Sequence, residues 1–381
     1  MYDGLYRYYK KLPLSLRLRL RNLAPSVRGA ASPPPRKKVQ LHDPEAVAVF
    51  AESVGADGGR IVDRVVAAYR RSAAGDYYGQ DSMWRTFREE RHQELHELLV
   101  HGPREKLVEA LSSPRDYNLL YGFETLYKEY HEAVARNPLH ARQVGARLKD
   151  QLMRLSEAIG MFRVENPDGP GAENPSFTVS ELIAALEREL GFPLDVPAVY
   201  AGLEGLPRPG GVLTNRMIEA AYCASRVKRL ASGAVLEIGG GVGFFAYYVH
   251  RLKLDITIVD LPMTNVAQGY FLMRALGEDA VVLEGEPPRP GAIKVLTPGH
   301  LESGPRYDLV VNVDSLTEVG RDVAEGYLRW IMKNSRRFWS VNHEANIFTV
   351  NELLKEFPGA TVERFPYWMR SGYVEEIITC R

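Results

Sequence analysis

The sequence predicts an α/β protein: an open, largely parallel sheet of seven strands with a C-terminal antiparallel hairpin, preceded by an all-helical N-terminal domain. Three observations predict it. From residue 214 onward, short apolar runs alternate with segments of helical periodicity, as a parallel sheet with crossover helices requires. Residues 234–260, AVLEIGGGVGFFAYYVHRLKLDITIVD, read as strand, glycine turn, helix and strand, with Glu237 and Asp260 at the strand ends. Residues 44–156, by contrast, are rich in helical patterns, with breaks at turn signals such as Gly58-Gly59 and Asn137-Pro138.

The elements follow in order. Residues 1–40 form a basic arm and linker, with ten Lys or Arg against the single acid Asp3. Tyr2, Leu5, Tyr8, Tyr9, Leu12, Leu16 and Leu20 interleave with those charges, which suits an anionic membrane surface for residues 1–38, although a solvated tail leading into the Ser32–Pro35 linker is the simpler reading. No nucleic-acid motif accompanies the charge. Residues 41–210 form the helical domain, with helices expected over 47–54, 61–71, 84–99, 105–111, 119–135, 141–159 and 179–190. The boundary falls in 193–211, which holds four prolines and four glycines. In 211–381 the strands are expected at 235–238, 256–259, 280–283, 308–313, 338–342, 360–365 and 374–379. Helices at 215–230, 244–252, 264–276, 323–334 and 349–357 accompany them.

Composition narrows the class. At 381 residues, 45% apolar and 25% charged, the chain is an ordinary globular protein. It shows no apolar run of eighteen residues and no secretory h-region, so a cytoplasmic location is expected, peripheral at the inner membrane face if the arm binds lipid. Cys223 and Cys380 have no metal-type spacing. His92-Gln-Glu-Leu-His96 places two imidazoles one helical turn apart, but Gln93 stands where a zinc protease needs its glutamate.

The glycine turn admits two readings. Glu237-x-Gly239-x-Gly241-x-Gly243 fits the acid-led loop of class I methyltransferases, in which S-adenosylmethionine lies over the strand ends. Gly241-x-Gly243-x-x-Ala246 fits a looser dinucleotide fingerprint, with Asp260 near the spacing of a ribose-binding acid. The position of Glu237, the early start of the turn and the seven strands with a terminal hairpin favour the methyl donor. The expected sheet is thus the Rossmann-like one of class I methyltransferases. On this reading Glu237, Gly239, Gly240, Gly241 and Gly243 hold the donor, Asp260 binds its ribose hydroxyls, and Leu261 borders the adenosine. Asn312 is placed on the donor side, and Glu284 or Glu286 reaches the adenine, with Glu286 the assigned residue.

The chain also resembles the sugar O-methyltransferases of bacterial surface-glycan clusters. The resemblance rests on VLEIGGGVG (235–243), IVDLPMTNVAQGYFL (258–272), NVDSLTEV (312–319), SVNHEAN (340–346) and RFPYWMRSGYVEE (364–376), and more weakly on YNLLYGFETL (117–126). It implies methyl transfer from S-adenosylmethionine to a sugar hydroxyl of a surface glycan or its precursor, without naming the acceptor.

Such a hydroxyl is weakly acidic, so a base or a metal ion must take up its proton. His343, after the fifth strand, is the leading base. Asp314 and Glu318, one helical turn apart after the fourth strand, offer a base, Mg²⁺ ligands or partners for sugar hydroxyls. Glu344, Tyr367, Trp368, Arg370 and Tyr373 are the expected acceptor-binding residues, combining stacking faces with charge. Two other functions fit the glycine turn: an NAD-dependent sugar-nucleotide oxidoreductase, against which stands the lack of a Tyr-x-x-x-Lys pair in the sheet domain, and a non-catalytic donor-binding protein of a glycan assembly complex. The oligomeric state is not encoded in any motif.

Overall fold

The computed structural model of the chain describes residues 45–52, 59–79, 82–122, 124–161 and 177–380. The basic arm lies outside the described residues. Leu41–Arg381 forms one compact unit, with helices predominating before residue 204 and the strands of the large sheet beginning at residue 235.

The first half of this unit is helical: α1 (Gly59–Ser72), α2 (Met83–Glu90), α3 (Gln93–His101), α4 (Arg104–Ser112), α5 (Lys128–Val134), α6 (His140–Ala158) and α7 (Val179–Leu190). Three expectations change here. The segment expected as helix 84–99 is two helices, because the chain breaks at Arg91–His92 and His92 turns inward to bond the Asn118 carbonyl at 3.1 Å. Residues 119–122 and 124–127 are turns, bends and an isolated bridge rather than helix, with Asn118 and Gly122 both at positive φ. Val49–Phe50 is a short strand, β1, instead of part of a helix. It pairs with β2 (Glu204–Arg208), which pairs with β3 (Gly211–Leu213) in an antiparallel ribbon. Its strands β2 and β3 fall in and just after the Pro/Gly segment in which the boundary was expected.

The second half is an eight-stranded sheet. Its strands are β4 (Val235–Ile238), β5 (Ile256–Val259), β6 (Val281–Leu283), β7 (Ile293–Leu296), β8 (Tyr307–Val313), β9 (Ser335–His343), β10 (Thr361–Pro366) and β11 (Tyr373–Thr379). They lie in the order β10-β11-β9-β8-β4-β5-β7-β6. All pairs are parallel except β11 with β9 and with β10. The expected seven strands are present with one addition, β7, which inserts between β5 and β6.

Alternation along the strands divides the core. Val235, Leu309, Val311, Trp339 and Val341 face the layer formed by the helical half together with α8 (Asn215–Leu230), α9 (Phe244–Arg251) and α10 (Pro262–Leu276). Leu236, Ile238, Val310 and Phe338 face the other layer, α11 (Arg321–Asn334) and α12 (Val350–Leu354). The helical half therefore shares one continuous core with a face of the sheet. A polar clamp adds to it: Arg64 on α1 donates to Glu286 at 2.7 and 2.8 Å and to the carbonyls of Glu278 and Val281. Among the described residues, no helix is long and apolar enough to cross a membrane.

Candidate active site

A cavity of about 360 Å³ opens at the carboxyl ends of β4, β5 and β8, the position where open α/β sheets bind ligands. Its size is in the range of small-molecule sites. The glycine turn forms one wall. The helical half contributes Tyr77, Trp84, Gly122 and Glu124; α8 contributes Arg216, Glu219, Ala220 and Cys223; the terminal hairpin contributes Arg370 and Tyr373.

The turn is built for close approach. Gly239 has φ of 76°, and a Cβ there would lie 2.1 Å from the Ser315 hydroxyl, so backbone and neighbour both exclude a side chain. Gly243, at φ of 98°, caps α9, whose first residues Phe244 and Phe245 line the cavity. Beneath the turn, Asn312 is fully buried and bonds the Ile238 carbonyl at 2.9 Å, Ser315 Oγ at 2.6 Å and, through its Oδ1, the Leu316 amide and Asn342 Nδ2. It braces the turn from below and does not line the cavity.

Two acids border the turn. Asp260 accepts from the Gly240 amide at 2.8 Å, the Leu261 amide at 2.7 Å and Gln268 Nε2 at 2.7 Å, and burial raises its carboxyl to about 6. Glu237 is 4% exposed, and its Oε2 is buried without a protein partner. Burial, reinforced by the nearby Asp260, raises it to about 8. A buried carboxylate oxygen without a partner is costly, so a ligand that brings a donor or a positive charge there would be held firmly. Glu286, by contrast, lies outside the cavity lining, held by Arg64 and the Leu283 amide; Glu284 is also outside, accepting from Thr297. The adenine-side assignment of Glu286 is therefore withdrawn.

At the other end, Asp314 sits at φ of 58°, rare for a residue with a side chain. Its Oδ2 accepts from Arg370 Nη1 at 2.8 Å and lies 3.5 Å from Arg216 Nη1; its Oδ1 accepts from the Tyr373 hydroxyl at 2.8 Å. Both guanidiniums also approach Glu219, at 3.7 Å from Arg216 and 3.5 Å from Arg370. Burial and the adjacent Asp314 push the Tyr373 hydroxyl well above its ordinary value. The three residues expected to serve catalysis come together: one ligand-type atom each of Asp314, Glu318 and His343 lies within 4.8 Å of the others. The His343 ring meets Tyr373 edge-on at 5.3 Å.

Of the five expected acceptor residues, Arg370 and Tyr373 line the cavity. Tyr367 does not: it is 4% exposed and packs beneath the hairpin against Tyr222 and Cys223. Glu344 is paired with Arg364, and Trp368 is exposed away from the lining. Arg216, Glu219 and Glu124 escaped the sequence reading, since isolated charges on a helix or turn carry no local sign of burial. Both cysteines are free thiols.

No family model and no curated protein matches the sequence. Among solved structures, the chain is similar to a TehB-like S-adenosylmethionine-dependent methyltransferase from Corynebacterium glutamicum, with 19% identity over 42% of this chain and 86% of that one, at a TM-score of 0.32. It is also similar to the glycopeptide N-methyltransferase MtfA complexed with S-adenosylmethionine, with 13% identity over 42% and 87% at a TM-score of 0.33. A third likeness is to the methyltransferase domain of bacterial CtHen1, with 11% identity over 42% and 97% at a TM-score of 0.33.

Proposed function

We propose that the chain is an S-adenosylmethionine-dependent O-methyltransferase acting on a sugar hydroxyl. The observation that carries the methyl-donor part is Glu237: a buried carboxylate oxygen without a partner, beside a glycine turn whose backbone a ligand can approach, at the central strand end. It fits the ammonium of a methionine-type ligand. The sugar part is supported by the sequence resemblance, above all NVDSLTEV and RFPYWMRSGYVEE.

S-adenosylmethionine would supply an electrophilic methyl on its sulfonium, which the acceptor oxygen attacks in line as the sulfur-carbon bond breaks and the thioether leaves. The chain positions the partners. Glu237 and the turn amides hold the donor, and Asp260 accepts from its ribose by exchanging one of its protein donors for a ribose hydroxyl. His343, grouped with Asp314 and Glu318, takes the hydroxyl proton as the oxygen-carbon bond forms. Asp314, fixed by Arg370 and Tyr373, orients the acceptor side. A Mg²⁺ ion does not fit this donor set well: both Asp314 oxygens are engaged, and two guanidiniums stand beside it.

Calorimetric titration with S-adenosylhomocysteine and with NAD tests the reading. The first should bind and the second should not, and Asp260→Ala should weaken the first by about 1.5–3 kcal/mol. Binding of NAD alone would return the chain to dinucleotide chemistry. Homocysteine-nucleoside release in the presence of methyl glycosides then tests transfer, and a donor-binding chain inert on every glycan supplied would point to the non-catalytic reading.

A further inference from the structure

We infer that Glu124 recognises the acceptor, and that the cavity takes an uncharged or amino sugar in preference to one bearing phosphate or carboxylate. The inference rests on the methyl-transfer reading above.

Six carboxyl side chains line the cavity, Glu124, Glu219, Glu237, Asp260, Asp314 and Glu318, against two cationic ones, Arg216 and Arg370. Glu237 and Asp260 belong to the donor end. At the acceptor end both guanidiniums are already taken up by Asp314 and Glu219. An anion entering there would have to displace those carboxylates or share a site with them, and like charges in a desolvated pocket are strongly unfavourable. A bare methyl glycoside or an amino sugar meets no such repulsion.

Glu124 supplies the specific contact. It stands on the turn segment that forms an isolated bridge between Tyr121 and Glu124, so it belongs to the helical half and not to the donor-binding sheet. Its Oε1 is buried and has no protein partner, although the residue lines the cavity. A buried acceptor left unmade costs about 1–3 kcal/mol, which a hydroxyl or ammonium of the ligand removes. Burial raises the Glu124 carboxyl to about 7, with Arg216 opposing and Glu219 reinforcing the shift. An incoming ammonium therefore favours the ionised form and gains a charge-assisted bond.

The test uses the full chain loaded with S-adenosylhomocysteine and titrated calorimetrically with methyl glucosaminide and, separately, with glucose 1-phosphate. The glucosaminide should bind at least tenfold more tightly than the phosphate. Glu124→Gln should lower glucosaminide affinity tenfold or more while S-adenosylhomocysteine affinity stays within twofold, which also certifies that the variant is folded; Glu124→Asp should recover part of the loss. Tighter binding of glucose 1-phosphate, no binding of either sugar, or a Glu124→Gln chain that binds the glucosaminide as wild type does would each overturn the inference and leave methyl-donor binding intact. A wild-type chain that fails to bind S-adenosylhomocysteine would overturn both.

Discussion

Glu237 is the residue on which the proposed donor binding and stability meet. Its carboxyl rises from 4.5 to about 8 on folding because it is buried beside Asp260, so the ligand-free folded chain keeps a proton that the unfolded chain has released. The stability this group contributes is complete below pH 4.5 and is lost as the pH climbs toward 8, by up to about 1.4 kcal/mol per pH unit. Thermal unfolding of ligand-free Glu237→Gln should accordingly show a variant more stable than wild type at pH 8, with the gap closing toward pH 4.5. Parallel pH profiles for the two proteins would remove Glu237 from this role. The same variant should bind S-adenosylhomocysteine more weakly, since the amide replaces an anion facing the ligand ammonium.

At the scale of the element, the strand-turn-helix unit from β4 through α9 depends on Gly239. Alanine there would have to adopt φ near 76° and place its Cβ against Ser315, at about 1–2 kcal/mol for the backbone alone. Gly239→Ala should lower the melting temperature and abolish donor binding, and adding Ser315→Ala should recover little, because the Ser315 Cβ would still lie 2.7 Å away. Full donor affinity in the single variant would show that the turn tolerates a side chain. This unit was legible in the sequence because its apolar runs, glycines and strand-end acids are local signals. The added strand β7 was not: it has four residues, follows a Pro/Gly stretch and owes its place to pairing with β5 and β6. The β2–β3 ribbon hid behind Pro207 and its glycines in the same way. In the site, Asp314 and Glu318 were readable from their place after the fourth strand and Arg370 and Tyr373 from the charge and stacking faces of the terminal hairpin, whereas Tyr367 was misassigned because an aromatic that stacks on a ligand and one that fills a core look alike in sequence.

For the whole molecule, the helical half and the sheet share one buried cluster and the Arg64 clamp, so Leu41–Arg381 should unfold as a single cooperative body in spite of its two-part sequence pattern. In a chain whose Trp84, Trp330 and Trp368 are replaced by Phe, denaturant unfolding followed by far-ultraviolet circular dichroism, dominated by the helices, should coincide with unfolding followed by fluorescence of Trp339, which is fully buried in the sheet. Midpoints separated beyond error would show that the halves unfold independently. The same arrangement explains why the cavity draws on distant parts of the chain: Glu124, Arg216 and Arg370 reach it only once those parts have packed together.

The placement of β11 makes one end of the pocket detachable. This interior strand lies between β9 and β10 and carries Tyr373, while the turn just before it carries Arg370; together they hold Asp314. Cutting the chain after residue 369 removes an interior strand and the clasp on Asp314 in one step. The fragment 41–369 should retain no S-adenosylhomocysteine, whereas the same fragment mixed with a peptide of residues 370–381 should recover some of it. Capture by the fragment alone would mean that the pocket forms without that strand.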